Sequence, residues 1–249
     1  MDGVLSQEEI NALLNNNDAA DSSDEILTES EKDAIGEIAN ISMGTAATTL
    51  FSLVNRRVEI STPVVSFSNW DKMVDEYEKP CVFIKIGYTQ GLNGSNILVL
   101  KEKDVKIITD LMMGGDGTNI NGEIGELHLS AISEAMNQMM GSSATSLSSM
   151  LNRTIDISPP IAEVVDLKNT LNEGEIDSFL SEEFVKISFR MEIGDLVDSE
   201  IMQLYPPAFV KDMCKGVSQN MELDTQSVTE DVPQSSNTAT QAAPIQQPQ

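Results

Sequence analysis

The chain carries one unit twice. Shifted by 97 residues, positions 33–63 align with 130–160 without a gap, and 15 of the 31 aligned positions are identical. The identities include Ala34/Ala131, Ile35/Ile132, Glu37/Glu134, Asn40/Asn137, Met43/Met140, Gly44/Gly141, Asn55/Asn152 and Pro63/Pro160. Unrelated segments do not match at this density. Repeated units either stack into an array or close on one another, and two copies are too few for an array. The repeat therefore predicts a single duplicated domain with pseudo-two-fold symmetry.

Each unit opens with a long helix. Thr28-Glu29-Ser30-Glu31 has the form of a capping box, a hydroxyl residue at the N-cap with glutamate three positions on. Helical periodicity then runs to about Val54. Ile35, Ile38, Ala39, Ala46, Leu50 and Leu53 fall on one side, as do Ile132, Ala135, Met136, Met139, Leu147 and Met150 in the second copy. A strand is expected after each helix, over 58–65 and 155–165. Strand-like runs at 82–86 and 96–100 have counterparts at 184–189 and 200–204, with hairpin turns over 90–95 and 194–199. Shorter helices close the halves at 103–113 and 207–215. The expected fold is α/β in the broad sense: a two-layer α+β domain, long helices on a mostly antiparallel sheet.

That domain is expected over 28–220, with halves of about 28–120 and 121–220. Ahead of it, residues 1–15 form an amphipathic island. Ser6-Gln7-Glu8-Glu9 is a second capping box, and Leu5, Ile10, Leu13 and Leu14 make a short apolar stripe. A helix this short is marginal alone in water. It reads as a docking peptide or a frayed end, joined to the domain by a polar, acidic tether over 16–27. Residues 221–249 are rich in Gln, Pro, Ser, Thr and Ala and lack aromatics, the composition of a linker or a tail. A linker carries the expectation that a further segment follows it.

Charge narrows the partners. The chain has 40 acidic and 15 basic residues, a formal charge of -25. That excess repels nucleic-acid backbones and anionic lipid headgroups. No apolar run has the length of a membrane span. Cys81 and Cys214 are isolated and lack metal-ligand spacing, which fits a reducing compartment. The chain is expected to be cytoplasmic. His128, the single histidine, reads as a surface residue, and Gly114-Gly115-Asp116-Gly117 reads as a turn, because no Lys-Ser/Thr follows to make a phosphate cradle. No metal site of its own is expected.

The chemistry lies opposite the apolar stripe. Asp33, Glu37, Asn40 and Gly44 fall within a narrow arc of the first helix, and Ser130, Glu134, Asn137 and Gly141 repeat it. Glu and Asn at i and i+3 are neighbours, with Cβ atoms roughly 5–6 Å apart. One such pair means little, since most are solvated helix faces. Two pairs at equivalent places in halves that differ at half their positions carry more weight. A mid-helix glycine costs roughly 1 kcal/mol against alanine, so its presence in both copies suggests close approach by a partner or a neighbour.

These residues resemble the CheC–CheX–FliY phosphatase family, whose pattern is Asp/Ser-x-x-x-Glu-x-x-Asn followed by 22 residues and Pro. Asp33, Glu37, Asn40 and Pro63 match it, and Ser130, Glu134, Asn137 and Pro160 match it again. The segment Leu5 to Leu14 resembles the peptide with which flagellar switch proteins of the FliM and FliY type bind phosphorylated CheY. A C-terminal domain similar to FliN, found in FliY members, has no counterpart here. The resemblance spans residue 1 to about 220. It implies a phospho-aspartate phosphatase acting on CheY at the cytoplasmic face of the membrane, in the flagellar basal body. Glu37, Asn40, Glu134 and Asn137 are then catalytic, and Leu5, Ser6, Ile10, Leu13 and Leu14 bind the partner. Contacts with FliM- and FliG-type proteins would run through a C-terminal part, and Mg²⁺ would arrive with the substrate. Two other readings compete: a switch adaptor that captures phospho-CheY without catalysis, and a structural dimer that buries the glycine-marked faces.

Overall fold

The computed structural model describes residues 26–77, 80–168 and 173–217. The peptide over 1–15, the tether up to residue 25 and the linker over 221–249 lie outside the described residues. In chain order the elements are α1 (Glu29–Val54), β1 (Val58–Ile60), β2 (Val64–Ser68), α2 (Trp70–Glu76), β3 (Cys81–Gln90), β4 (Gly94–Lys101), α3 (Glu102–Met112), α4 (Glu126–Leu151), β5 (Asp156–Ile157) and β6 (Ile161–Val165). Short 3-10 turns at Glu173–Glu175 and Ser178–Ser181 lead into β7 (Phe184–Ile193) and β8 (Val197–Tyr205), and α5 covers 207–217.

Local sequence explains where the long helices begin and end. At the start of α1, Thr28 Oγ1 accepts the Glu31 N–H at 3.2 Å and Glu31 Oε2 accepts the Thr28 N–H at 2.9 Å. Helix α4 lacks a hydroxyl there, and His128 Nδ1 accepts the Gly125 N–H at 3.2 Å instead. His128 is thus a half-buried capping residue. Both helices stop at an asparagine in the left-handed region, Asn55 at φ 48° and Asn152 at φ 47°. Asparagine tolerates that region better than most residues, and both belong to the repeat.

Three features differ from the sequence expectation. The strands expected over 58–65 and 155–165 are each broken, at 61–63 and 158–160. The breaks carry Pro63 and Pro159-Pro160, which have no N–H for a ladder. Helix α2 was not foreseen. It spans seven residues, too few for a periodic signal, and is capped by Asn69, whose side chain accepts the Lys72 N–H at 3.0 Å. Leu27, placed in the tether by sequence, is fully buried in the core.

All strand pairs are antiparallel, in the order β1-β7-β8-β4-β3-β5, with β2 also on β7 and β6 also on β3. The halves exchange strands. The pair following α1 lies against the hairpin of the second half (Val64 opposite Ser188), and the pair following α4 lies against the hairpin of the first (Ile161 opposite Lys85). At the centre β4 meets β8, with Leu98 opposite Gln203.

Helices α1 and α4 cross one face of this sheet antiparallel to each other. Thr49 Oγ1 donates to Ser142 Oγ at 2.9 Å, and Ser146 Oγ donates to Thr45 Oγ1 at 2.8 Å. Thr45 and Ser142 are repeat mates, as are Thr49 and Ser146, so the pseudo-dyad runs between these contacts. Below them Met43 and Met140, also mates, converge on the buried Gln203 amide, with Sδ atoms at 3.2 and 4.0 Å. The predicted stripes are buried: Ile35, Ile38, Ala39, Ala46, Leu50, Ile132, Ala135, Met136, Met139 and Leu147 join one cluster with Val82, Ile84, Val185 and Ile187. Leu53 and Met150 pack at its margin. Each fully buried Leu or Ile contributes about 1.5–3 kcal/mol.

A smaller cluster occupies the other face, where Trp70, Met73, Phe83, Leu180 and Phe184 meet. Asp177 anchors its covering segment, ion-paired with Lys85 Nζ at 2.9 Å and accepting from Ser95 Oγ at 2.7 Å. No described helix is long and apolar enough to cross a membrane.

Candidate functional site

The structure places the two Glu-x-x-Asn pairs on exposed grooves. Burial of the apolar stripe under α1 turns the opposite arc outward: Asp33, Glu37 and Gly44 are exposed and Asn40 is half-buried. On α4, Ser130 and Glu134 are exposed, and Asn137 and Gly141 are half-buried. The first groove, of about 360 Å³, runs between α1 and the break after β1, lined by Asp33, Gly36, Glu37, Asn40, Thr62 and Pro63. The second, of about 400 Å³, is lined by Ser130, Ser133, Glu134, Asn137, Pro159 and Pro160. The prolines that break the edge strands thus form the wall facing each pair. Because α1 and α4 are antiparallel, the pairs lie toward opposite ends of the helix layer. At a rise of 1.5 Å per residue the two asparagines are separated by roughly 20 Å along the helix axes.

The glycines leave these faces open. A Cβ added at Gly44 or Gly141 would meet no other described residue beyond its own turn of helix within 4 Å. The close approach that a repeated glycine suggests is therefore not made among the described residues. Among the described residues, Glu37, Asn40 and Asn137 have no side-chain hydrogen bond, whereas Glu134 Oε1 accepts from Gln138 Nε2 at 2.7 Å. The outward asparagine amides can donate and accept, and the outward carboxylates can meet a cation.

Sequence reasoning missed exposed apolar residues near the grooves. Ile161, which lines the second groove after Pro160, is 70% exposed, and Val64, after Pro63, is 65% exposed. They are repeat mates, and two apolar branched residues next to matched prolines were the available signal. Ile41 was missed too, 44% exposed one residue beyond Asn40. Lys32 also reaches the first groove, its Nζ 5.3 Å from the centre of the Phe67 ring.

Other candidate chemistry is weaker. A hollow of about 900 Å³ opens elsewhere, lined by Tyr77, Cys81, Lys101, Lys106 and Glu200 among others. Burial pushes the Cys81 thiol up to about 11, and the Cys214 thiol likewise to about 11. Neither is a ready thiolate nucleophile at neutral pH. Gly114 to Gly117 forms the expected turn, in which the Asp110 carboxylate accepts the Gly117 N–H at 2.8 Å. Among the described residues no group of three or more His, Cys, Asp or Glu side chains is placed to hold a metal ion.

Comparison with known proteins adds to this geometry. The CheC-like family matches residues 31–67 and 127–164, once in each unit. The flagellar motor switch phosphatase FliY of Bacillus subtilis (strain 168) is 48% identical over 214 residues, covering 84% of this chain and 56% of that protein. The chain therefore spans little more than half of that relative's length. The CheY-P phosphatase CheC of the same organism is 24% identical over 143 residues, 55% of this chain and 67% of that protein. The crystal structure of Thermotoga maritima FliY has a TM-score of 0.71 at 42% identity, covering 78% of this chain and 99% of that one.

Proposed function

The chain belongs to the CheC-like family, among its FliY members, and from that premise we propose that it hydrolyses the phospho-aspartate of CheY at the flagellar motor switch, on the cytoplasmic side of the membrane. The observation that carries this reading is the repeated Glu-x-x-Asn pair, turned to solvent on an open groove in both halves. The names of the relatives, a motor switch phosphatase and a CheY-P phosphatase, support the substrate.

The chemistry suits such sparse machinery. Phospho-aspartate is an acyl phosphate, held beside Mg²⁺ in its own protein. Hydrolysis needs mainly a water positioned in line with phosphorus, which an amide can do without acting as a base, as glutamine does in GTPases. Asn40 and Asn137 take that role. Glu37 and Glu134 pair with a lysine of the substrate protein and hold the helix in register. Positioning of this kind supplies on the order of 10²–10⁴ in rate. The amphipathic peptide over 1–15 raises the local substrate concentration, and FliM- and FliG-type switch proteins are partners of the assembled motor.

The test is phosphate release from phosphorylated CheY. Asn40→Ala with Asn137→Ala abolishes stimulated release while the circular dichroism melt is unchanged. Deleting residues 1–15 raises KM and spares kcat. Undiminished release in the double variant overturns the site assignment, and no release by the parent chain favours the non-catalytic adaptor.

A further inference from the structure

The two grooves differ at one matched position on the docking face. Residue 41 follows Asn40 and lies one turn beyond Glu37; its mate, residue 138, stands in the same relation to Asn137 and Glu134. At 100° per residue this position borders the Glu, Asn and Gly arc. In the first copy it is Ile41, with 44% of its surface exposed. In the second it is Gln138, exposed and bonded to the Glu134 carboxylate at 2.7 Å. The exchange has two consequences. Ile41 offers apolar surface beside a free Glu37. Gln138 offers none, and occupies one carboxylate oxygen that would otherwise meet a cation.

We infer that residues 41 and 138 set the affinity of the two sites, making the first groove the tighter dock for a phospho-aspartyl protein and the second the weaker. This rests on the phosphatase reading above. Ile41 is an apolar contact that loses its remaining exposure when the partner seats; covering that surface is worth on the order of a three- to tenfold gain in affinity. Gln138 is a positioning residue acting through Glu134. An exposed i, i+4 pair of this kind holds the carboxylate by about twofold, and the partner's ammonium must share or displace that bond. The glycine one turn past each asparagine is open in both copies, so backbone access does not separate the two sites. The reacting amide is Asn in both, so the difference falls on binding and leaves the chemical step alone.

Each groove can be read separately in the full chain. In an Asn137→Ala background, which leaves the first groove, Ile41→Gln is expected to raise KM by about three- to tenfold, as for loss of the apolar contact, with kcat unchanged. In an Asn40→Ala background, which leaves the second, Gln138→Ile lowers KM by a similar factor, while Gln138→Lys raises it through an ion pair with Glu134. Opposite shifts from two substitutions at one exposed site are not the signature of altered folding, and thermal melts of all variants are expected to coincide. Unmoved KM values with both single-asparagine variants still active overturn this inference and leave the phosphatase reading standing. No release by the parent chain overturns both.

Discussion

The two open glycines give a direct test of the docking faces. Gly44 and Gly141 lie inside 26-residue helices. Glycine in a helix interior is roughly 0.5–1 kcal/mol less stable than alanine, mostly through backbone entropy. A substituted Cβ would meet no described residue beyond its own turn of helix within 4 Å at either position, so no steric term from the described fold opposes the gain. The hydroxyl bonds to the two glycine carbonyls, from Thr48 at 3.4 Å and Thr145 at 3.1 Å, need no rearrangement. Gly44→Ala and Gly141→Ala should each stabilise the domain by about 0.5–1 kcal/mol. They share no close neighbour, so the double variant should gain about 1–2 kcal/mol, a rise of several degrees in Tm for a domain of this size. A sequence that forgoes such a gain twice has a reason outside the described fold. If the partner's surface rests on these faces, the added methyl groups stand in its way, and KM for phospho-CheY should rise while Tm rises too. Scanning calorimetry and phosphate release measure the two sides. A double variant that melts at or below the parent refutes the claim that the positions are open. A variant that melts higher with unchanged KM refutes the claim that a partner approaches there.

Two further outcomes follow from contacts away from the grooves. Burial alone would push the Asp177 carboxyl up, but the Lys85 ammonium, the Ser95 hydroxyl and the Phe179 N–H together hold it below the usual range. A depressed carboxyl contributes stability that is present above its unfolded value of about 3.9 and is lost as pH falls through the folded value; acid should therefore loosen the segment over 173–181, seen in the fluorescence of Trp70, the single tryptophan, and Asp177→Asn should remove that pH step. Thr28→Ala removes the cap of α1 and should cost about 1 kcal/mol of stability by denaturant titration; the start of α4, where His128 accepts the Gly125 N–H, is left untouched by that change.

What was legible in the sequence was what is written locally. The bounds of α1 follow from a capping box and an apolar period, and the helix face of each groove follows from residues in fixed register on its own helix, α1 or α4. The exchange of strands between halves was not legible. Val64 carries no mark that says Ser188 will lie opposite, because pairing across more than a hundred residues is decided by which sheet edge is free. Nor could Pro63 and Pro160 be seen as groove walls until the edge strands they interrupt had been placed. Ile41 and Gln138 escaped notice for another reason. The repeat draws attention to what its copies share, and the informative feature there is where they disagree.

The strand exchange bears on how such a chain came to exist. One unit alone presents a hairpin with an open edge and a strand pair with nothing to lie against, and so it has no finished sheet. Two identical units complete each other, as subunits of a homodimer do. Joining them in one polypeptide makes assembly independent of concentration and removes the requirement that both subunits be the same. From then on each binding face answers to its own stretch of gene, and one molecule can carry a strong and a weak version of the same site.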